Sequence, residues 1–530
     1  MKLLKVAILV ASIRTEALAR PRKTRAVDVE AALANLGVDV TKIPQMNDLK
    51  KNACQIACGA LSEIFGTVKL LTENTPAYND VTGSYWAAQQ EGVKPSCIFV
   101  PSIDREVSAL VLISEYIGCP FAAKSGGHAA FAGASSSQGG ITILFRDLNG
   151  ITLNKDKSIA SIGPGNVWGD VYRALEPHGL AAVGGRMSTI GVGGLVTGGG
   201  ISYYSNMYGW ALDNVESFEV VSAATGNIIT ASAPKNPDLY WALRGGGNNV
   251  GLITKFNLYT IPSPKLRGTT RVFSAEQSSM VLDAFFHVAE NAHVDGNAQQ
   301  YAIFGRIGGA NMISAELTYT KDVTDPAIFE KYRSIPAVSD TSSSKTLVEY
   351  CDDVSAGDQT GFRELFWNRS FKLNKGLANW AVEHFYSVAP KMDGVSGAVA
   401  GLVFQVITEP MLEKMSSAGG NALGLDASDG PIHLMHILSI WNSTSDDDTI
   451  YRFANDFFNT VAVEAKFRGL DNDFVYMNYA SQFQDVISSY GASSKAKLQA
   501  VAAKYDPRGV YQKLQPGYFK LANAPVPNPY

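Results

Sequence analysis

Phe121-Ala-Ala-Lys-Ser-Gly-Gly-His-Ala-Ala-Phe-Ala-Gly133 reads as a short buried strand, a turn of small residues and one histidine. Gly126 and Gly127 let the backbone turn tightly and approach a ligand with no side chain between. The N–H groups of such a turn can hold phosphate oxygens. His128 follows at once and so points at whatever the loop holds. Taken alone, the stretch is equally compatible with a surface glycine loop and an idle histidine. Two further runs change that balance. Gly184-Gly-Arg-Met-Ser-Thr-Ile-Gly-Val-Gly-Gly-Leu-Val-Thr-Gly-Gly-Gly200 is too regular for a linker, and Arg244-Gly-Gly-Gly-Asn-Asn-Val-Gly-Leu-Ile-Thr-Lys-Phe256 is a small-residue turn entering a strand. Between them, Asp213-Asn-Val-Glu-Ser-Phe-Glu-Val-Val221 opens another strand.

Upstream of Phe121, the residues Ile98 to Val100 form a strand. A helix follows, with Ser102 as N-cap, Asp104 and Glu106 in its first turn and Gly118 as stop. This strand–helix–strand unit makes the two strands parallel and, by the usual connection rules, adjacent, with starts about 5 Å apart. Cys97 and Cys119 stand at those starts. Cys54 and Cys58 lie about one 5.4 Å helical pitch apart on an apolar-periodic stretch. Two disulfides from that helix to the sheet edge are the expectation, with either pairing order, leaving Cys351 as a free thiol. The alternative is five buried thiols in a cytosolic protein.

The chain has 530 residues, 46 % hydrophobic and 18 % charged, with a net charge of −4. That is an ordinary globular composition with material for two cores. No basic excess points to nucleic acid. No apolar run approaches the roughly 20 residues of a membrane span. Lys2 and Lys5 before an apolar run, and Ala17-Leu18-Ala19 after it, suggest a cleaved signal peptide over 1–19, hence secretion. The sequons at Asn368 and Asn442 fit a secreted glycoprotein. Residues 20–52 form an N-terminal extension with one short helix, Val27 to Leu36. Residues 53–262 alternate strands, small-residue turns and helices. In 263–471 apolar strands (Ala302 to Ile307, Ile313 to Tyr319, Ala398 to Ile407, Ile432 to Trp441) lie between long helices (Ala275 to Ala292, Thr449 to Phe467), which reads as an antiparallel sheet covered by helices. Residues 472–530 are a closing segment with a helix from Ser494 to Lys504.

Ile162-Gly163-Pro-Gly165-Asn-Val-Trp-Gly169 imitates a dinucleotide fingerprint, but its spacing is off by one, Pro164 occupies the turn, and no acidic residue sits on a strand end about 20 residues later. No phosphate-binding Gly-x-x-x-x-Gly-Lys-Ser/Thr sequence occurs. His433 and His436 face opposite sides of their strand by alternation, so no metal site is expected there.

The three glycine runs together resemble the berberine-bridge-enzyme-like branch of the vanillyl-alcohol-oxidase flavoproteins, in its fungal form, from about Cys58 to Lys520. The resemblance implies an α+β fold: a two-part FAD-binding domain of the vanillyl-alcohol-oxidase (PCMH) type, 53–262, plus a substrate domain, 263–471, with 472–530 returning to the FAD domain. It implies FAD bonded covalently through His128, since a neutral imidazole is a competent nucleophile toward the electrophilic ring methyl. Many members carry a second tether, a cysteine in Gly-Arg-Cys-Pro-Thr-Val-Gly. Here that segment reads Gly185-Arg-Met187-Ser-Thr-Ile190-Gly191, so no cysteinyl link forms, and isoleucine replaces the valine that borders the oxygen site in the family.

Carried over by motif, Lys124, Ser125, Gly126 and Gly127 form the pyrophosphate loop. Thr189, Gly191, Gly193, Gly194 and Thr197 form the second loop, and Gly251 and Ile253 hold the adenine half. Tyr476-Met-Asn478-Tyr479 resembles the family's C-terminal strand, with Tyr479 as catalytic base and Asn478 orienting flavin or substrate. A tyrosine needs a nearby cation or donor for that task, and the sequence does not name one. The function implied is hydride removal from a small secondary metabolite, with O₂ as acceptor, by a monomer. Alternatives are a carbohydrate or alcohol oxidase, and a flavin-holding cyclase without net redox chemistry.

Overall fold

The computed structural model describes residues 29–42 and 49–530. The segment read as a signal peptide, 1–19, lies outside the described residues, as does much of the extension. Within the extension a helix spans Val29–Asn35.

Apolar alternation and glycine turns build three sheets. The first has four strands in the order Leu70–Thr72, Cys97–Phe99, Ile141–Leu144, Phe121–Lys124. Cys97–Phe99 and Phe121–Lys124 are parallel as expected but not adjacent, because both pair with Ile141–Leu144 between them. The crossover helix Asp104–Ile117 skips one strand position, and a later strand fills it. The two strand starts are therefore two strand spacings apart, about 10 Å, not one. The helix Leu49–Phe65 still reaches both through the disulfides Cys54–Cys119 and Cys58–Cys97, with Cα separations of 4.9 and 6.1 Å. Cys351 is free and buried. Ser102 is not the N-cap of the crossover helix. Ile103 holds that position, and the Ser102 N–H donates to the Glu106 carboxylate at 2.8 Å. Gly118 ends the helix at φ 81°, in the left-handed region where glycine is cheapest.

The second sheet is antiparallel, in the order Ile151–Leu153, Ile159–Ile162, Leu252–Pro262, Val215–Val221, Ile228–Ser232, with Leu180–Ala182 pairing the far end of Leu252–Pro262. The third is a seven-stranded antiparallel sheet, in the order Ser339–Lys345, Leu266–Ser274, Ala310–Tyr319, Ala298–Ile307, Val399–Ile407, Ile432–Trp441, Arg363–Lys372. Strand alternation sorts its residues to two faces. Phe304, Leu402, Phe404, Met435, Ile437 and Trp367 enter a core with the helices Ser278–Glu290, Lys375–Val388 and Asp447–Phe467. Their strand neighbours Tyr301, Ile303, Val403, His436, Leu438 and Phe366 face a cavity instead.

The chain end packs on the first two sheets. Tyr511 donates to the Val221 carbonyl at 2.7 Å, and Arg508 pairs with Glu115. Asn368 lies in the strand Arg363–Lys372, where its amide exchanges hydrogen bonds with the Tyr476 backbone at 2.9 and 3.0 Å. It is fully buried, so the first sequon is not a glycosylation site. Asn442, just past Ile432–Trp441, is exposed. No described helix is long and apolar enough to cross a membrane.

Candidate active site

Two glycine loops meet backbone to backbone. A methyl group on Gly191 would stand 2.2 Å from the Gly126 nitrogen, and one on Gly126 would stand 2.4 Å from the Gly191 nitrogen. The close approach dictates glycine at both positions. Ser125 locks the junction: its hydroxyl donates to the Pro164 carbonyl at 2.6 Å and accepts from the Gly193 N–H at 3.2 Å. Gly127 turns the chain at φ 77° into His128. Between these loops and the open face of the seven-stranded sheet lies a cavity of about 410 Å³.

Of the residues assigned from the sequence, Ser125, Gly126, Gly127, His128, Gly191, Gly193, Gly194, Thr197, Gly251, Ile253, Asn478 and Tyr479 line this cavity. Lys124 and Thr189 do not. The Lys124 ammonium turns away to Ser84 Oγ at 2.9 Å and lies 3.6 Å over the Tyr85 ring, where burial brings its pKa down to about 8. Thr189 stands behind the junction, with its carbonyl against Gly126. Met187 and Ile190 are in the wall.

Tyr479 does not sit on a strand. Met477–Tyr479 is a 3₁₀ turn, which aims the phenol into the cavity. The cation missing from the sequence reading is Arg186, whose Nη2 donates to the Tyr479 oxygen at 2.7 Å. Burial opposes the guanidinium charge, but Tyr479, then Tyr203, Tyr301 and Tyr476, outweigh it, and the net shift is upward. His436 stacks on Tyr479 with centroids 4.5 Å apart and 28° between planes. Burial first, then Arg186, lowers its pKa to about 3, so it is a neutral ring with an unpartnered Nδ1. His433, on the opposite face, is packed among Phe285, Phe286 and Phe404. The Asn478 amide donates to the Leu195 carbonyl at 3.1 Å and to the Tyr476 hydroxyl at 3.0 Å, while its Oδ1 is buried without a partner.

At the other end, His128 Nε2 is 3.1 Å from Asp358 Oδ2, and its ring stacks on Trp86. The glycine junction stripped of side chains and an imidazole at the wall of a cavity of about 410 Å³ fit a large planar cofactor with a phosphate-bearing tail. Sequence reasoning missed Arg186, Asp358, Trp86 and His436. Arg186 was in plain view inside the second glycine run; nothing local marks Asp358.

Comparison with known proteins agrees with this geometry. Residues 95–232 match a family described as FAD binding domain. An FAD-dependent monooxygenase of Cochliobolus heterostrophus is 32 % identical over 89 % of this chain and 94 % of its own length. The bifunctional solanapyrone synthase of Alternaria solani is 30 % identical over 88 % of this chain and 89 % of its own. Among solved structures, a carbohydrate oxidase from Microdochium nivale superposes with a TM-score of 0.69 at 21 % identity, covering 94 % of this chain and 99 % of that one. The 6-hydroxy-D-nicotine oxidase of Arthrobacter nicotinovorans gives 0.70 at 21 % identity, covering 83 % and 96 %.

Proposed function

This chain belongs to the berberine-bridge-enzyme-like family of FAD-linked oxidoreductases, and we propose that it oxidises a small, largely apolar metabolite at a carbon bearing oxygen, with Tyr479 as base and His128 as covalent tether for FAD. When bound, FAD supplies the acceptor for a hydride and its two electrons. The chain's own residues supply the rest. The observation that carries the reading is the Arg186–Tyr479 pair opening into a cavity walled by glycine loops.

Tyr479, held by the Arg186 guanidinium at 2.7 Å, accepts the substrate's hydroxyl proton as the C–H bond breaks. Neutral His436 beside it adds no charge to compete for that proton. Asn478 is held by two bonds, to the Leu195 carbonyl and the Tyr476 hydroxyl, and orients the loop that carries Tyr479 beside the cofactor. Ser125, Gly126, Gly127, Gly191, Gly193, Gly194 and Thr197 line the seat of the phosphates, and Gly251 and Ile253 the adenine end. Met187 excludes a second, cysteinyl tether. Dioxygen serves as electron acceptor.

Ile303, Val403, Leu438, Phe366 and Val354 in the cavity wall favour an apolar secondary metabolite over a carbohydrate, which calls for polar partners on every ring. The two disulfides and the exposed Asn442 sequon support passage of the protein through an oxidising secretory compartment.

The test is anaerobic bleaching of the flavin absorbance by a panel of aromatic and polyenyl alcohols set against oligosaccharides. Reduction by the apolar alcohols is expected. Reduction by oligosaccharides alone would transfer the enzyme to the carbohydrate oxidases, and turnover without bleaching would point to a non-redox cyclase.

A further inference from the structure

Trp86, His128 and Asp358 form a closed clamp. The indole stacks on the imidazole with centroids 4.2 Å apart and 15° between planes. The same indole donates its Nε1–H to Asp358 Oδ1 at 3.0 Å, while Asp358 Oδ2 stands 3.1 Å from His128 Nε2. Each carboxylate oxygen thus serves one ring, and the two rings brace each other. Phe366 stacks on Trp86 at 5.5 Å and fixes the indole. The members come from far apart: Trp86 follows the helix Pro76–Thr82, and Asp358 follows the helix Leu347–Ala356, 230 residues beyond His128.

An aspartate carboxylate only accepts, so a neutral imidazole hydrogen-bonded to it through Nε2 carries its proton there and leaves the Nδ1 lone pair free. We propose that Asp358 is the positioning residue of a self-catalysed flavin attachment: it holds His128 in the Nε2–H tautomer, so that Nδ1 is the atom that bonds the flavin's ring methyl. This rests on the reading of His128 as the tether. Nδ1 donates its electron pair to the methyl carbon and a C–N bond forms. The methyl gives up one C–H proton and the imidazole gives up its Nε2 proton. The two electrons enter the ring system, and dioxygen then removes two electrons and two protons as hydrogen peroxide. Asp358 stabilises the positive charge growing on the imidazole, the part an orienting carboxylate plays beside a reacting histidine, and then takes the Nε2 proton as a general base. Because Asp358 comes from the substrate-domain side of the cavity, attachment awaits the docking of that side onto the glycine loops, and the covalent bond marks a completed fold.

The test uses full-length wild type, Asp358→Asn, Asp358→Glu and Trp86→Phe, produced flavin-free in a riboflavin-auxotrophic host and mixed with FAD. Flavin that survives acid precipitation is followed over time, alongside total flavin bound before precipitation. Asp358→Asn should bind FAD reversibly yet attach it roughly 100-fold more slowly, the lower range for losing an acid–base partner. Asp358→Glu should recover much of the rate, and Trp86→Phe, which keeps a stacked ring but loses the donor, should fall between. Should Asp358→Asn not fold, the Asp358→Glu and Trp86→Phe rates decide alone. If these variants attach flavin as fast as wild type, Asp358 has no part in the reaction and the proposal is overturned. If the wild type attaches none, the tether reading itself falls.

Discussion

The Arg186 guanidinium donates to the Tyr479 phenol across 2.7 Å of space and 293 residues of sequence. One end of the pair is fixed by the second glycine run and the other by the 3₁₀ turn Met477–Tyr479. Tyr479→Phe and Arg186→Met should each leave flavin content intact while slowing anaerobic flavin reduction roughly 100-fold. The double variant should be little worse than either single one, since both remove the same function. Stopped-flow absorbance gives the rates; additive losses would separate the two residues.

The glycine junction makes a sharper demand. Gly191 has φ −70° and ψ 143°, open to any residue, so its requirement is space rather than conformation. A methyl group there meets the Gly126 backbone at 2.2 Å, and backbone does not swing aside. Gly191→Ala should push the loops apart and lower the flavin-to-protein ratio well below that of Gly194→Ala, where nothing lies within 4 Å. Equal flavin content in the two variants would refute the junction as the cofactor's seat.

How much of this was legible beforehand depended on where the signal lived. The strand Ile432–Trp441 was readable to the residue because its run of mostly apolar positions is buried on both faces. Ser339–Lys345 was invisible, since Ser-Asp-Thr-Ser-Ser-Ser-Lys is an exposed edge strand with no apolar pattern to read. The insertion of Ile141–Leu144 between two strands of a crossover is a long-range event that no local periodicity records. The glycine loops were legible because close backbone approach restricts residue type. Asp358 was not, because a lone aspartate in a polar loop acquires its partner only when the substrate side folds over His128.

Cys54–Cys119 and Cys58–Cys97 close loops of 65 and 39 residues. Each should contribute about 4 kcal/mol by loop-closure entropy, and thiol titration of denatured, unreduced protein should find one free group, Cys351. Cys54→Ser with Cys119→Ser should lower Tm clearly while leaving the thiol count at one.

His433 has both ring nitrogens buried without partners among three phenylalanines, and burial lowers its pKa to about 3. The folded state therefore binds fewer protons than the unfolded state between pH 6.5 and 3, and stability is lost as pH falls through that window. His433→Leu removes both an unsatisfied polar group, costing about 1–3 kcal/mol, and the acid penalty. The variant should melt higher than wild type at pH 8, and its advantage should grow by about 2 kcal/mol at pH 5. A constant or shrinking difference between the two pH values would contradict the burial of a neutral ring.

Ile190 stands in the cavity wall on the loop that carries Gly191, with its carbonyl accepting from the Trp168 N–H at 2.9 Å. The backbone bond fixes the residue, and the β-branched side chain is stiff at χ1, so it cannot easily vacate the space it fills. Isoleucine is one methylene larger than valine, and interiors packed at crystal density register a single methylene. If dioxygen reaches the reduced cofactor through this part of the wall, the extra methylene slows its approach. In the proposed mechanism hydride transfer from substrate, set by Tyr479 and Arg186, does not use that space. Ile190→Val should therefore accelerate reoxidation of the reduced enzyme on mixing with oxygenated buffer while leaving anaerobic reduction unchanged. Ile190→Ala should accelerate it further, since access and not shape is the limit. Identical reoxidation rates for all three proteins would mean that oxygen arrives by another route, and the gate would have to be sought on the opposite wall, beside Val403 and Leu438.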